Sequence, residues 1–365
     1  MNKKPKIALI GVYPPPYGGI SVHIQRLNEQ LEKRGFQSII YDFGKRKDIL
    51  QKNVKATKNT KGWILKYFLN AKEDIVHYHG YESKSLLLFS LFSIVRKKKV
   101  IFTFHSFRYN IKNIDLLHKL IFWMAAKANI YFIAVNPQIK EKITSLGIAP
   151  ENIEIIPSFI PPTVREEEIA EIPKGVWNFI DSHSPVISAN AFKISFYNNQ
   201  DLYGIDMCID LCANLKQYYP KIGLVFALPD IGDYEYFNKM KQRIAEKGIE
   251  NSFLFITKQY QFYPILMKSD VFVRPTNTDG DAVSLREALY FKIPSVASDA
   301  VPRPKGTVLF KSRDINDFTL KVKDVLDNYQ EHKKRMEEVE LDDNFEKIMK
   351  VYQMLSKYQN IQKRY

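Results

Sequence analysis

Along the first 156 residues, short β-branched runs alternate with stretches whose apolar positions fall at helical spacing. Residues 6–11 read as a buried strand, and a loop with three prolines and two glycines follows. Ile20, Ile24, Leu27 and Leu31 then share one helical face, and Gly35 supplies the stop. Further strands are expected over 37–41, 74–77, 100–104, 130–134 and 153–156, with helices over 83–95, 114–127 and 137–146. Alternation at this spacing predicts parallel strands joined by right-handed helical crossovers.

Between residues 157 and 173 the pattern stops, and prolines and acidic residues take over, which reads as an interdomain linker. It then restarts, with strands expected over 185–189, 223–227, 253–256, 271–274 and 295–297. Helices fall between them over 205–218, 234–247, 264–268 and 284–291, and a last one over 314–329. The prediction is an α/β chain of two Rossmann-like, doubly wound domains facing a central cleft. Residues 1–160 form the first, 161–183 the linker and 184–330 the second. Residues 331–365, with Phe345, Ile348, Val351 and Leu355 on one face, are expected to pack back on the first domain. Ligands of such sheets bind at the carboxyl ends of the strands.

Composition narrows the class. A chain of 365 residues that is 45% hydrophobic and 26% charged is not disordered. Its two cysteines, Cys208 and Cys212, make no disulfide framework and at i, i+4 face one side of a buried helix, as in a reducing compartment. The longest apolar stretch, 86–95, is about half the ~20 residues that a membrane span needs. The apolar run 7–12 ends at Pro14, Pro15 and Pro16 with no cleavage site, unlike a signal peptide. The expectation is an intracellular protein, soluble or surface-bound.

Charge divides the chain. Residues 1–165 hold 27 Lys+Arg and 11 Asp+Glu, a surplus of +16, while the remainder is at −2. Such asymmetry suits a polyanionic partner, either nucleic acid or an acidic membrane, although lysines also simply solubilise helices. The membrane is favoured by Lys52, Lys55, Lys58, Lys61 and Lys66 around an aromatic segment, and by the exposed run Arg96, Lys97, Lys98 and Lys99. No nucleic-acid-binding signature is present.

Three places carry candidate chemistry. Gly18 and Gly19 open a helix after a strand, where backbone approaches a ligand closely and N–H groups face an anion. A tight turn without a ligand would look the same. His105 ends the strand 100–104, placed to bond a sugar hydroxyl, or merely to cap and pack. His77 and His79 are spaced like metal ligands, but no cysteine or carboxylate completes a site, and no metal is expected. The most informative segment runs from Arg274 through Asp279, Gly280, Asp281, Ala282 and Val283 to Glu287. A strand gives way to a polar loop and then to a helix, so two acids address different parts of one extended ligand. The N–H groups of Gly280 to Val283 suit a diphosphate. The bland alternative makes Asp279 an N-cap and Glu287 a salt-bridge partner.

These motifs together resemble the retaining, two-domain GT-B glycosyltransferases of family 4. Gly18, Gly19 and Ile20, with His23 and Leu27, are similar to that family's entry motif. Thr103, Phe104, His105 and Ser106 resemble its strand-then-His motif, and Ile155 to Ser158 its domain-closing segment. Tyr203, Gly204, Ile205 and Asp206 resemble its Lys-Gly-hydrophobic-Asp, and Asp279 with Glu287 its Glu-x7-Glu, one methylene shorter at the first acid. The likeness spans roughly residues 5 to 330. It implies transfer of a sugar from a nucleotide donor to a glycan or lipid-linked acceptor, with no cofactor or metal. It further implies that His105 and Asp279 contact the donor sugar, that Glu287 holds the ribose, and that Gly18 and Gly19 approach the phosphates.

One departure stands out. The family places an Arg and a Lys before its Lys-Gly glycine, aimed at the diphosphate, whereas Asn198 to Gly204 here contain no basic residue. Lys193, Arg274 and Arg286 are the candidate substitutes, with Arg274 favoured by its strand end. Without one, one or two charge-assisted contacts of ~1.5–3 kcal/mol each are missing, enough to slow transfer by two or more orders of magnitude. A weak or inactive relative acting as a scaffold is therefore the alternative. A cytoplasmic location is expected, with peripheral attachment to the inner membrane face as an option. The partners are the donor, the acceptor and an anionic membrane, not nucleic acid.

Overall fold

The computed structural model describes residues 4–44, 53–57, 60–80, 82–107, 111, 114–128 and 130–362. The chain divides into two compact units, Met1–Ile160 with Asp343–Tyr365, and Pro161–Asp342.

The first unit is built on seven parallel strands: β1 (Ile7–Gly11), β2 (Ser38–Asp42), β3 (Val54–Ala56), β4 (Ile75–His79), β5 (Lys99–Phe104), β6 (Tyr131–Ala134) and β7 (Ile153–Ile155). Their order is β3-β2-β1-β4-β5-β6-β7, so the chain steps outward from β1 one way and then the other. Both faces of the sheet are covered, which is why its strands are nearly all apolar. On one face Ile64, Phe89, Phe122 and Ile143, from four successive helices, pack on Phe102 and Phe132. On the other, Ile24 and Leu27 of the helix Gly19–Lys33 join Ile348 and Tyr352 of the helix Asn344–Gln362 against Leu9 and Ile101.

The second unit holds a six-stranded parallel sheet and a hairpin. Its strands are β8 (Val186–Asn190), the hairpin pair β9 (Phe196–Tyr197) and β10 (Gln200–Asp201), β11 (Gly223–Ala227), β12 (Phe253–Ile256), β13 (Val271–Arg274), β14 (Ser295–Ser298) and β15 (Val308–Phe310). The order β12-β11-β8-β13-β14-β15 brings the carboxyl ends of β8, β13 and β14 side by side. Cys208 and Cys212 lie buried on the helix Ile205–Lys216.

Several expectations need correction. The supposed linker 161–183 contains the helices Glu166–Ala170 and Lys174–Ser182. Ile172, Val176 and Ile180, spaced four apart, seal Val186, Val225 and Ile256 in the second unit's core. The flanking prolines hid that period. Residues 331–365 do not act as one block. The helix Tyr329–Glu337 belongs to the second unit, where the Met336 carbonyl accepts from Lys292 Nζ (2.8 Å). Only the helix Asn344–Gln362 joins the first unit. The segment read as a basic aromatic surface folds into β3 and the helix Thr60–Asn70, with Lys52 and Lys58 outside the described residues. No helix among the described residues is long and apolar enough to cross a membrane.

Candidate active site

In the first unit, histidines converge because β1, β4 and β5 are neighbours. His77 and His79 are on β4, His105 follows β5, and His23 projects from the helix that starts at Gly19. The His79 Nδ1 and His105 Nε2 atoms lie 3.3 Å apart, and the His23 ring is 5.0 Å from that of His105. His77 is held from both sides, by Tyr352 Oη at 2.7 Å and Thr103 Oγ1 at 2.6 Å. His23 Nδ1 meets the Ser158 carbonyl at 2.6 Å. The Nε2 atoms of His23 and His79 are buried without a partner. Burial lowers the pKa of His23 to about 4 and those of His77, His79 and His105 well below the ordinary value. The cluster is therefore neutral at physiological pH, able to exchange hydrogen bonds with hydroxyls. His23, His79 and His105 also present ligand atoms within 4.8 Å of one another, a spacing suited to a divalent cation. Gly18 precedes the helix at φ −131°, and its N–H donates to Ser21 Oγ (2.9 Å). Gly19 is the first helical residue beside it.

The second unit gathers charge instead. Arg274 ends β13, and its Nε donates to Asp279 Oδ2 at 3.0 Å while Nη1 reaches the Asn190 carbonyl at the end of β8 (2.9 Å). Arg303, in the loop after β14, donates to the same Asp279 oxygen (3.2 Å), to Thr276 Oγ1 (2.8 Å) and to Ser298 Oγ (2.9 Å). Burial alone would raise the Asp279 carboxyl, but the two guanidinium groups outweigh it and hold its pKa below the usual range. Burial works against the Arg303 charge, and neighbouring Arg274 adds to the effect. Two buried cations thus share one carboxylate in direct contact, with exposed Asp299 acting on Arg303 from further off, so the contact set itself carries a net positive charge at the carboxyl ends of three strands. Such a surplus is costly unless an anion pairs with it.

A family model of Glycosyltransferase Family 4 matches residues 17–164, and one of Glycosyl transferases group 1 matches residues 188–340. The chain belongs to these glycosyltransferases. The fold of this glycosyltransferase recurs in solved structures at low identity. Anabaena Alr3699/HepE, in complex with UDP and glucose, aligns with TM-score 0.69 and 14% identity over 98% of this chain and 99% of its own. A glycosyltransferase from Rickettsia africae ESF-5 gives 0.71 and 15%, over 98% and 100%. Sucrose-phosphate synthase from Thermosynechococcus elongatus gives 0.64 and 14%, over 97% and 100%. No curated protein matches the sequence.

The glycosyltransferase's missing basic residues have a local explanation. Asn198 and Asn199 both adopt positive φ, at 50° and 57°, and turn β9 back into β10. Asp201 at the hairpin's end then receives the backbone N–H groups of Tyr203, Gly204 and Ile205. Its carboxylate anchors the start of the helix Ile205–Lys216. Gly204 has φ +69°, and a Cβ there would lie 2.7 Å from the Pro275 carbonyl oxygen. This glycine is therefore obligatory.

The remaining predicted residues separate. Lys193 pairs with Asp230 (3.8 Å), and Arg286 with Asp281 (2.6 Å), so neither joins the Asp279 cluster. The Gly280 N–H donates to Asp279 Oδ1 (3.1 Å) and that of Val283 to the Asp281 carbonyl (2.9 Å), so two of the four groups expected to face a diphosphate are already engaged. The helix N-cap is Ala282, not Asp279. Glu287 is buried within the helix Val283–Tyr290. Sequence reasoning missed Arg303 altogether, and it missed that His23 and His79 meet His105. Only the strand-end position of His79 signalled the latter.

Proposed function

We propose that the chain is a retaining glycosyltransferase that moves a sugar from a nucleoside-diphosphate donor to a hydroxyl of a glycan or lipid-linked acceptor, without a metal. The observation that carries this reading is the pair of guanidinium groups on Asp279, with its surplus positive charge. Arg274 and Arg303 would take over from the absent Arg and Lys, meeting charge as it develops on the departing diphosphate. Asp279 and the neutral His105 would bond donor-sugar hydroxyls, Glu287 the ribose, and Gly18 and Gly19 would let the phosphates approach the backbone. Gly280, Asp281, Ala282 and Val283 would line the phosphates, with Lys193 at the margin. The bond from acceptor oxygen to anomeric carbon would form on the face where the carbon–phosphate oxygen bond breaks. The acceptor proton would pass to the leaving diphosphate.

The UDP in the Anabaena structure makes a uridine donor the first to try. The charge of the first unit favours a cytoplasmic site of action at an anionic membrane surface. A thermal-shift screen with UDP, GDP, ADP, CMP and dTDP, each with and without a sugar, tests the donor site. A nucleotide at a hundredfold excess over its dissociation constant stabilises by ~2.7 kcal/mol. A shift with one diphosphate that Glu287→Ala removes supports the reading, and no shift with any of them overturns it. Excess chelator should leave transfer unchanged; a loss would bring the three histidines forward as a metal site.

A further inference from the structure

Three neighbouring helices of the first unit present apolar side chains outward. The helices Thr60–Asn70, Ser83–Arg96 and Leu116–Lys127 pack side by side over one face of the sheet. Their inner sides are ordinary, with Ile64, Phe89 and Phe122 buried. A water-facing outer side carries polar and charged residues. Here Leu116, Leu120 and Trp123 follow at i, i+4 and i+7 and are 82%, 50% and 56% exposed. Leu69 and Val95, on the two neighbouring helices, are 75% and 74% exposed. Single exposed leucines need no explanation, but exposed apolar side chains on three adjacent helices do.

The charge on these helices has one sign. Together they carry six Lys and Arg residues and no Asp or Glu. The acids that precede two of them are engaged, Glu82 by Tyr78 Oη (2.6 Å) and Asp115 by His118 (2.6 Å). Lys97 follows Arg96 exposed, and Lys127 Nζ lies 6.0 Å from the Trp123 ring centre. Leucines with a tryptophan among cations, and no anions, match an interface of acyl chains beneath acidic headgroups. A second copy of the chain is a poorer occupant, because it would set like charge against like.

We propose that this three-helix face docks on an anionic lipid surface, with Leu116, Leu120 and Trp123 entering the headgroup boundary. The inference rests on the membrane reading above and names the surface that serves it. The test is sedimentation of the full chain with vesicles of phosphatidylcholine, alone or doped with phosphatidylglycerol, while Trp fluorescence is recorded. Binding to the doped vesicles should be at least ~10-fold stronger, and the emission should shift to the blue, a shift that Trp123→Phe removes. Leu116→Ser with Leu120→Ser should weaken binding by ~10-fold or more while leaving the melting temperature and the nucleotide-induced shift intact. Wild-type protein that ignores both vesicle types, a serine variant that binds as well as wild type, or a concentration-dependent dimer that the serines abolish would each overturn the proposal. Protein that answers to nucleotide but not to vesicles loses only the docking face. Protein that binds vesicles but no nucleotide loses only the donor site.

Discussion

The two polar clusters at the strand ends solve opposite problems. In the first unit three buried imidazoles and the half-buried His105 lie close together, all held neutral, with two ring nitrogens lacking a partner. In the second unit the polar atoms are paired to one another, yet charge is left over, since Arg274 and Arg303 share Asp279. A neutral cluster with unused hydrogen-bonding capacity suits hydroxyls, and a paired cluster with surplus charge suits an anion. Site chemistry here is set less by which residues are present than by what each is already bonded to.

The comparison breaks most readily at Arg303. Arg303→Ala should lower both nucleotide-diphosphate affinity and transfer rate by two or more orders of magnitude, with partial recovery in Arg303→Lys. Steady-state kinetics that match wild type would reduce Arg303 to a structural clasp. Next in size is Asp279→Asn, which keeps the shape but removes the shared anion. Turnover should fall by ~10-fold or more while nucleotide affinity changes less. Equal losses in both would make the carboxylate a mere organiser of the two arginines.

The histidine side is tested by pH. The folded pKa of His23 is about 4, below the unfolded 6.5, so the unfolded chain takes up the proton first as pH falls. Stability from this group is complete above about pH 6.5 and drains as pH drops towards 4, by ~1.4 kcal/mol per pH unit. His77, His79 and His105 shift in the same direction and steepen the loss. Melting temperatures at pH 7.5 and pH 5 should differ markedly, and less so in His79→Asn. A flat profile would mean that the cluster is hydrated. The smallest effect belongs to the basic edge. Lys97→Gln with Lys99→Gln should weaken anionic-vesicle binding only about threefold, ~0.7 kcal/mol for the pair, less than the ~1 kcal/mol that each charge gives at the surface itself. Lys98 is left alone because its ammonium group is tied to the Glu73 carbonyl (2.7 Å).

Strand order explains what the sequence could and could not reveal. Arg274 was legible because it ends an apolar run, and a strand's carboxyl end is where α/β sheets bind. Arg303 sits in a proline-flanked loop with no period, and only the pairing of β13 with β14 brings it to Asp279. The histidines likewise depend on β1, β4 and β5 being neighbours, which spacing along the chain does not encode. The helix Lys174–Ser182 was lost because prolines on either side resembled a tether, although its isoleucine and valine positions already had helical spacing.

The helix Asn344–Gln362 sets an order of events during synthesis. It supplies Phe345, Ile348 and Tyr352 to a core whose other members lie before residue 161, and Tyr352 also holds His77. The first unit's sheet is therefore made early with one face only half covered, by the helix Gly19–Lys33 alone. The second unit, lying wholly between, has all its strands before that face can close. Its apolar sheet face must stay shielded or soluble through that interval. A segment translated after the second unit thus completes the unit made before it.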